Sequence, residues 1–200
     1  MNTGSLTMPQ RQPVERVPPV ASTRIAMIAL VTSELMLFAG LVGMYVVVRL
    51  SHAVWPPADQ PRLPLLVTTI NSLVLFASVV PMTAALRAIR RDDRPRAAAA
   101  LGVTTLLGIV FLAVQGGEWT RLVHHGLTLG SSIYGAAFYV LIGCHAVHVL
   151  GAVVWLVVVT LLARRGRFRA EAYAGLEMCA IYWFFVAGLW AFLFPLVYLY

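Results

Sequence analysis

Long apolar stretches alternate with short polar segments along most of the chain. About 20 consecutive apolar residues, wound as an α-helix, are enough to cross the hydrocarbon core of a bilayer. Five stretches reach that length, and the segments between them carry the proline, glycine and charged residues that end helices. The pattern predicts an all-α integral membrane protein, a bundle of five transmembrane helices at about 25–50, 65–89, 97–119, 133–163 and 173–200.

Composition supports a membrane protein rather than a water-soluble one. The chain has 200 residues, of which 60% are hydrophobic and 12% charged, and its mean hydropathy is +0.83. A soluble domain of this length could not cover so much apolar surface with so few charges. Residues 1–24, by contrast, are polar and contain four prolines, so they predict a disordered cytoplasmic tail ahead of a membrane domain at 25–200.

The distribution of arginine predicts the side of the membrane on which each loop lies. All 15 basic residues are arginine, and 12 of them fall in the tail, the second loop and the fourth loop. The opposite side has only Arg49, Arg62 and Arg121. By the positive-inside rule, the N-terminus is inside and the C-terminus outside. Orientation in a membrane explains these arginines better than nucleic-acid binding does, so no nucleic-acid partner is expected.

Glu34, His145, His148 and Glu177 fall within the apolar stretches, where an ionisable group is costly without a partner. Glu34 lies nine residues into the first predicted helix, roughly 14 Å from its inner end at about 1.5 Å per residue. Two interpretations of Glu34 stay open. It is either a proton-linked or lipid-facing carboxyl, or a neutral hydrogen-bonded contact between helices.

His145 and His148 are three residues apart and are expected on one face of the fourth helix. Two ligands on one face cannot supply the opposed axial positions of a haem, so packing between helices is favoured and no metal or cofactor is assigned. Glu177 is expected to pair with arginines of the loop that precedes it. Glu118, near the outer end of the third helix, is expected to contact water or the histidine-bearing loop.

The remaining polar and small residues give no catalytic motif. Cys144 and Cys179 form no CxxC pair and are predicted to be small buried apolar residues. Gly40 and Gly43 predict a close contact between helices. No phosphate-binding glycine loop or nucleophile elbow is present, and no catalytic residue is assigned.

Seven short strings follow one another in order within residues 25–200. They are SELMLFAG at 33–40, WPP at 55–57, NSLVLFAS at 71–78, QGGEW at 115–119, SSIYGAAFYVLIGCHAVHVLGA at 131–152, EMCAIYW at 177–183 and LWAFLF at 189–194. Together they resemble subunit III of the haem-copper terminal oxidases, the cytochrome c oxidases. The match is to the short bacterial form of five helices, which lacks the first two helices of the long form.

The resemblance implies a non-catalytic subunit of a respiratory oxidase in the bacterial inner membrane. Subunit III supports proton uptake by the catalytic subunit I, protects it from inactivation during turnover, and holds lipids in a cleft between its helix groups. The expected partners are subunits I and II, membrane phospholipids and a larger respiratory supercomplex. The resemblance implies that haem and copper lie in those subunits and not on this chain.

The resemblance also marks particular residues. The family's recurrent polar positions, which are proton-linked, lipid-linked or structural, correspond to Glu34, Glu118, His145, His148 and Glu177. Trp183 corresponds to an aromatic residue of the family's last helix.

One motif departs from the family and leaves alternatives. The string that normally runs YWHFVD has Phe184 in place of the histidine and Ala187 in place of the aspartate. The ending LFPLVYLY also resembles the subunit III homologue that accompanies nitric oxide reductases. That homologue and a quinol oxidase subunit are therefore alternatives. A small proton-coupled transporter using Glu34 is a third, although the chain offers few charged residues to line a pathway.

Overall fold

Six α-helices and one π-helical turn make up the described part of the chain, which is residues 19–53, 55 and 65–199 of a computed structural model. The helices are α1 Pro19–Leu50, α2 Leu65–Ala77, α3 Val79–Arg90, α4 Arg94–His124, α5 Ile133–Arg164, α6 Ala174–Phe194 and the π-helical turn Pro195–Leu199. The predicted tail before residue 19, most of the first loop with its prolines, and Tyr200 lie outside the described residues.

Five helical segments in this part of the chain are long and apolar enough to cross a membrane. They are α1, α2 together with α3, α4, α5, and α6 together with the π-helical turn. The all-α class and the number of spans that the hydropathy pattern predicted are therefore confirmed.

The second span is interrupted at Ser78, which the sequence analysis did not predict. Pro81 has no backbone N–H, so the carbonyl of Ala77 loses its usual helical partner four residues later. The helical hydrogen-bond pattern changes at this point, because the backbone nitrogen of Ser78 lies 3.1 Å from the carbonyl oxygens of both Val74 and Leu75. The span is consequently two helices, α2 and α3, with a turn between them.

Two helices begin earlier than the hydropathy pattern predicts. α4 begins three residues before the expected start, because the carboxylate of Asp93 accepts the N–H of Arg96 at 3.2 Å and caps the helix. It also runs five residues past the expected end, to His124. α1 begins at Pro19, so residues 19–24 are helical and not part of the predicted tail. Proline suits the first position of a helix because the N–H that it lacks would have no helical partner there.

α6 is the most buried span of the bundle, and α1 the least. α6 packs against α1, α3 and α5, and its Trp183 and Trp190 are completely buried. Gly108 of α4 leaves room for the ring of Trp183, since a Cβ at that position would lie 2.8 Å from Cη2 of the ring. α1 packs mainly against α5 and α6, and most of its apolar side chains are exposed. α1 therefore contacts the rest of the bundle along one side only.

Candidate functional site

A carboxyl–imidazole pair joins α1 to α5 within their membrane-spanning parts. Oε2 of Glu34 lies 2.7 Å from Nε2 of His148, and the two side chains are only 20% and 15% exposed. The ring of Phe38, one helical turn beyond Glu34, packs edge-on against the imidazole at a centroid distance of 5.0 Å. The structure thus brings together two of the predicted site residues that are 114 positions apart in the chain.

Hydrogen-bond geometry limits where the protons of this pair can lie. Nδ1 of His148 is 2.7 Å from the carbonyl oxygen of Cys144, and a carbonyl can only accept, so Nδ1 carries a hydrogen. If the imidazole is neutral, Nε2 is an acceptor and the carboxyl of Glu34 must be protonated. If the imidazole is protonated, Nε2 donates to a carboxylate. Either way, the pair shares one proton and has no net charge, as a poorly solvated site requires.

His145 lies on the same side of α5 but has a different environment. Its ring stacks on Trp190 at a centroid distance of 5.1 Å and meets the edge of Phe38 at 6.3 Å. The side chain is buried, and neither ring nitrogen has a hydrogen-bond partner among the described residues. Both histidines contact Phe38, in keeping with the expected common face, but only His148 meets a carboxyl group.

Glu177, at the start of α6, forms the second polar contact of α1. Its carboxylate accepts hydrogen bonds from Nη2 of Arg24 at 2.7 Å and from Nε of Arg24 at 3.1 Å, and Arg90 lies 3.9 Å away. Pairing with arginine was expected, but the predicted partners in the preceding loop were wrong. The first turn of α6 faces α1 and α3, so arginines that are distant in sequence are nearer in space.

Glu118 makes a contact within its own helix. Its carboxylate accepts a hydrogen bond from Nη1 of Arg121 at 2.9 Å, three residues later on α4. Glu118 is buried, whereas the side chain of Arg121 is largely exposed. Contact with water or with the histidine-bearing loop was expected; among the described residues, the hydrogen-bond partner of the carboxylate is Arg121, one turn away on the same helix.

Trp183 and Trp190 fasten α6 to the broken second span. Nε1 of Trp183 donates to the hydroxyl of Ser78 at 3.0 Å, and Nε1 of Trp190 donates to the hydroxyl of Ser72 at 2.8 Å. Trp183 was expected to be a motif residue, whereas neither serine was predicted to have a role. Two features of the sequence could have indicated these contacts. One is the pair of serines inside an apolar span, and the other is the pair of tryptophans, seven residues apart, in the last span.

A further buried polar contact that the sequence analysis missed connects three spans. Nδ2 of Asn71 donates to the carbonyl of Phe111 at 3.0 Å, and Nε2 of Gln115 donates to the hydroxyl of Tyr198 at 3.2 Å. Amides inside apolar helices are themselves a signal, because an amide at membrane depth needs a partner on another helix.

An apolar cleft of about 630 Å³ separates part of α1 from α6. Phe38 lines it and also contacts His148, so the cleft and the carboxyl–imidazole pair share a side chain. Gly43 and Gly188 face it from the two helices, and Phe184 lines its wall. An acyl chain or another apolar molecule matches this lining.

The described residues include no group of three or more histidine, cysteine, aspartate or glutamate side chains placed to hold a metal ion. Cys144 and Cys179 are free thiols. Cys179 is buried as predicted, whereas Cys144 is half-buried because its sulfur lies beside His148 near the edge of the bundle.

Comparisons with known proteins agree with one another. A family model described as cytochrome c oxidase subunit III matches residues 16–200. Cytochrome c oxidase subunit 3 of Corynebacterium diphtheriae is 31% identical over 196 residues, which is 96% of this chain and 94% of that protein. The proteins of the same name from Thermostichus vulcanus and Synechocystis are 33% and 32% identical. These alignments cover 88% and 84% of this chain and 86% and 71% of the two relatives.

Proposed function

The chain belongs to the cytochrome c oxidase subunit III family, and we propose that it supports proton uptake by the catalytic subunit of its oxidase and holds lipid beside it. Family membership makes the chain a component of a haem-copper oxidase complex and a multi-pass membrane protein. In this proposal the membrane is the bacterial plasma membrane, the arginine-rich ends face the cytoplasm, and haem and copper lie in partner subunits. The names of the relatives favour this function over the nitric oxide reductase homologue and the transporter.

The Glu34–His148 pair is the observation that carries the proton-linked part of the proposal. The pair holds one proton, which can lie on Oε2 or on Nε2, 2.7 Å apart, without changing the net charge of the site. Both side chains are partly exposed at the surface of the bundle, so the pair is not sealed inside this subunit. A neutral pair that retains a mobile proton is suited to buffering or relaying protons in a poorly solvated region.

The cleft between α1 and α6 supports the lipid-binding part of the proposal. Its lining consists of aliphatic, aromatic and glycine residues, which match an acyl chain and offer no hydrogen-bonding side chain. Phe184 lines the cleft where the family motif has histidine, and the neighbouring Ala187 is buried where the motif has aspartate. The departures from the motif therefore make this part of α6 more apolar. A lipid here would cover Phe38 and shield the carboxyl–imidazole pair.

The open face of α1 supports assembly with a companion subunit. Nothing within the described chain approaches within 4 Å of a Cβ placed at Gly40, and Met36, on the same face, is 72% exposed. Small residues let another helix approach closely in a membrane. We assign this face to a neighbouring subunit of the oxidase, because family membership supplies such neighbours.

Replacement of Glu34 by glutamine in the assembled oxidase tests the proton-linked role. An amide N–H can donate to Nε2 of a neutral His148, so Glu34→Gln retains a hydrogen bond while removing the titratable proton. We expect normal assembly and initial turnover, but a faster loss of activity during sustained turnover. The matched control is Glu171→Gln, the same change at an exposed carboxylate of the loop between α5 and α6, which should leave sustained turnover unchanged.

Two outcomes would distinguish the interpretations of Glu34. A faster decay of oxygen consumption in Glu34→Gln with a normal subunit content supports the proton-linked role. Wild-type turnover and a wild-type ratio of protons pumped to electrons transferred would contradict it, and would leave the pair as a packing contact between α1 and α5.

A further inference from the structure

A second groove runs along the bundle between α4 and α5, away from the α1–α6 cleft. Residues at positions i, i+3, i+4 and i+7 within 102–109 of α4 and within 157–164 of α5 form its two sides. Because such positions lie along one face of a helix, the two stripes face each other over two helical turns. The groove has a volume of about 340 Å³ and ends at Arg164, the last residue of α5.

The polar side chains on the floor of the groove are hydrogen-bonded within the protein. The hydroxyls of Thr105 and Thr160 lie 2.9 Å apart, and Thr105 donates its hydrogen to the carbonyl of Leu101 at 2.8 Å. Thr160 must therefore be the donor to Thr105, and both hydroxyls have partners. The sides are formed by exposed aliphatic residues, including Leu106 and Leu161. The groove thus offers an apolar surface, and its two hydroxyl groups already have hydrogen-bond partners in the protein.

Arg164 closes the groove at the arginine-rich end of the bundle. Arg164 is exposed, but its guanidinium extends beside α4, since a Cβ on Gly102 would be 3.3 Å from Nη2. No carboxylate in residues 19–53, 55 or 65–199 lies within 4 Å of this guanidinium. Arg165, Arg167 and Arg169 follow directly and add positive charge to the same end. An apolar groove therefore ends at a cation that lacks an anion.

We propose that this groove binds an anionic phospholipid, with its phosphodiester on Arg164 and one acyl chain along the α4–α5 stripes. Guanidinium groups bind phosphate oxygens through paired N–H donors, and basic pockets between transmembrane helices recognise anionic headgroups. The apolar stripes accept the chain, and the charge at their end selects the headgroup. The site uses a different pair of helices from the cleft and does not depend on the Glu34–His148 pair.

Lipid retention by the purified oxidase complex tests the site. Complexes carrying Arg164→Gln or Ile109→Trp are incubated with phosphatidylglycerol or phosphatidylcholine, washed in mild detergent, and analysed by mass spectrometry for retained phospholipid. Arg165→Gln and Ile70→Trp are the matched controls, because each makes the same change at an exposed position outside the groove, Ile70 being on α2. We expect the wild type and both controls to retain about one more phosphatidylglycerol per complex than either groove variant.

The outcomes separate this site from general attraction and from the cleft. Equal retention in the wild type and both groove variants, or the same loss in Arg165→Gln, would overturn the proposal. So would equal retention of phosphatidylcholine and phosphatidylglycerol by the wild type. A Gly43→Leu variant removes space in the α1–α6 cleft and should lose a different lipid, so its loss should add to that of Arg164→Gln. Glu34→Gln should leave retention in the groove unchanged, whatever its effect on turnover.

Discussion

α1 and α6 are both long and apolar enough to cross a membrane, but they differ in how much of each helix is buried inside the bundle. In an 18-residue window of each span, 11% of residues are buried in α1 and 44% in the last span. α6 is held by large side chains that fill the core, with Trp183 and Trp190 completely buried. α1 is held along one side, by the buried rings of Phe38 and Tyr45 and by polar contacts of Arg24, Glu34 and Arg49 at three depths.

This difference separates two ways of attaching a helix in a membrane. Lipid tails are as apolar as leucine, so apolar surface alone does not drive helices together, and close packing or hydrogen bonds must do so. α6 packs on most of its sides within this chain, and the hydrogen bonds of Trp183 and Trp190 to the second span add to that packing. α1 uses two buried rings and a few polar contacts on one side, which leaves its other side available to lipid and to companion subunits. The comparison identifies α6 as the core of the subunit and α1 as its outward-facing element.

The largest loss of stability is expected from a glycine-to-leucine substitution beside α6, and the same substitution on the open face of α1 is its control. Gly108→Leu forces a side chain into the space of the Trp183 ring, which lies 2.8 Å from the position of a Cβ. Overpacking of a core costs about 1–3 kcal/mol, so this variant should melt at a clearly lower temperature and accumulate poorly. Gly40→Leu on α1 meets nothing within 4 Å and is the matched control, with wild-type melting expected for the isolated chain.

Thermal unfolding of the full chain in detergent measures both glycine variants. Equal melting temperatures for Gly108→Leu and the wild type would show that α6 is not packed as described. A loss of stability in Gly40→Leu as large as that in Gly108→Leu would abolish the distinction between the two helices.

The next effect concerns the polar attachment of α1 to α5. Glu34→Ala leaves Nε2 of His148 without its partner, and an unsatisfied polar group costs about 1–3 kcal/mol when buried, towards the lower end here because the pair is partly exposed. Glu34→Gln retains a hydrogen bond and should lose much less stability. The ratio of the two losses is read from melting curves of the full chain. Equal losses would mean that the hydrogen bond contributes nothing to the attachment of α1.

A smaller effect is expected at the end of α1. Arg24 makes a two-pronged contact with Glu177, but its side chain is 50% exposed, so solvent screens the ion pair. Arg24→Gln should cost less than about 1 kcal/mol, and Arg90→Gln, whose guanidinium lies 3.9 Å from the same carboxylate, should cost less still. Added salt should lower the stability of the wild type towards that of Arg24→Gln. An unchanged difference at high salt would contradict an exposed ion pair.

The smallest change in stability is expected in the loop between α3 and α4. This loop belongs to neither α1 nor α6, so it gives a reference for the effects in those helices. The hydrogen bond from Arg94, and then that from the N–H of Ala170, holds the pKa of Asp92 below its usual value of 3.8. The stability that Asp92 contributes is therefore full above pH 3.8 and is lost as the pH falls through the lower pKa of the folded state.

Asp92→Asn tests this contribution. Asparagine tolerates the positive φ of 56° at this position and removes the charge. The melting temperatures of the wild type and the variant should differ slightly at neutral pH and converge in acid. A difference that stays constant across that range would show that the carboxylate does not contribute through its charge.

Much of the fold could be predicted from the sequence, because spans in a membrane are recorded locally as long apolar runs. The break at Ser78 had a local signal in Pro81 that the hydropathy pattern does not register. The start of α4 depended on a cap by Asp93, which is a local hydrogen bond rather than a matter of hydropathy. The residues inside the spans could be identified as needing partners, as Glu34 was.

The partners themselves could not be predicted, because they depend on how helices meet. Glu34 meets a histidine 114 positions away, and Glu177 pairs with Arg24, 153 positions away, instead of the arginines that precede it in the chain. The serines that accept from Trp183 and Trp190 likewise lie on another span. The orientation in the membrane and the roles of these residues in turnover stay predictions.

Photochemical cross-linking in the intact oxidase shows whether the open face of α1 meets a companion subunit. A photoreactive amino acid replaces Met36, on the open face of α1, and in a control replaces Val154, an exposed residue of α5. The account predicts a cross-link from position 36 to a companion oxidase subunit, identified by mass spectrometry of the linked peptides, and no such link from position 154. Cross-links from position 36 to lipid alone, in a complex that retains all its subunits and activity, would contradict it.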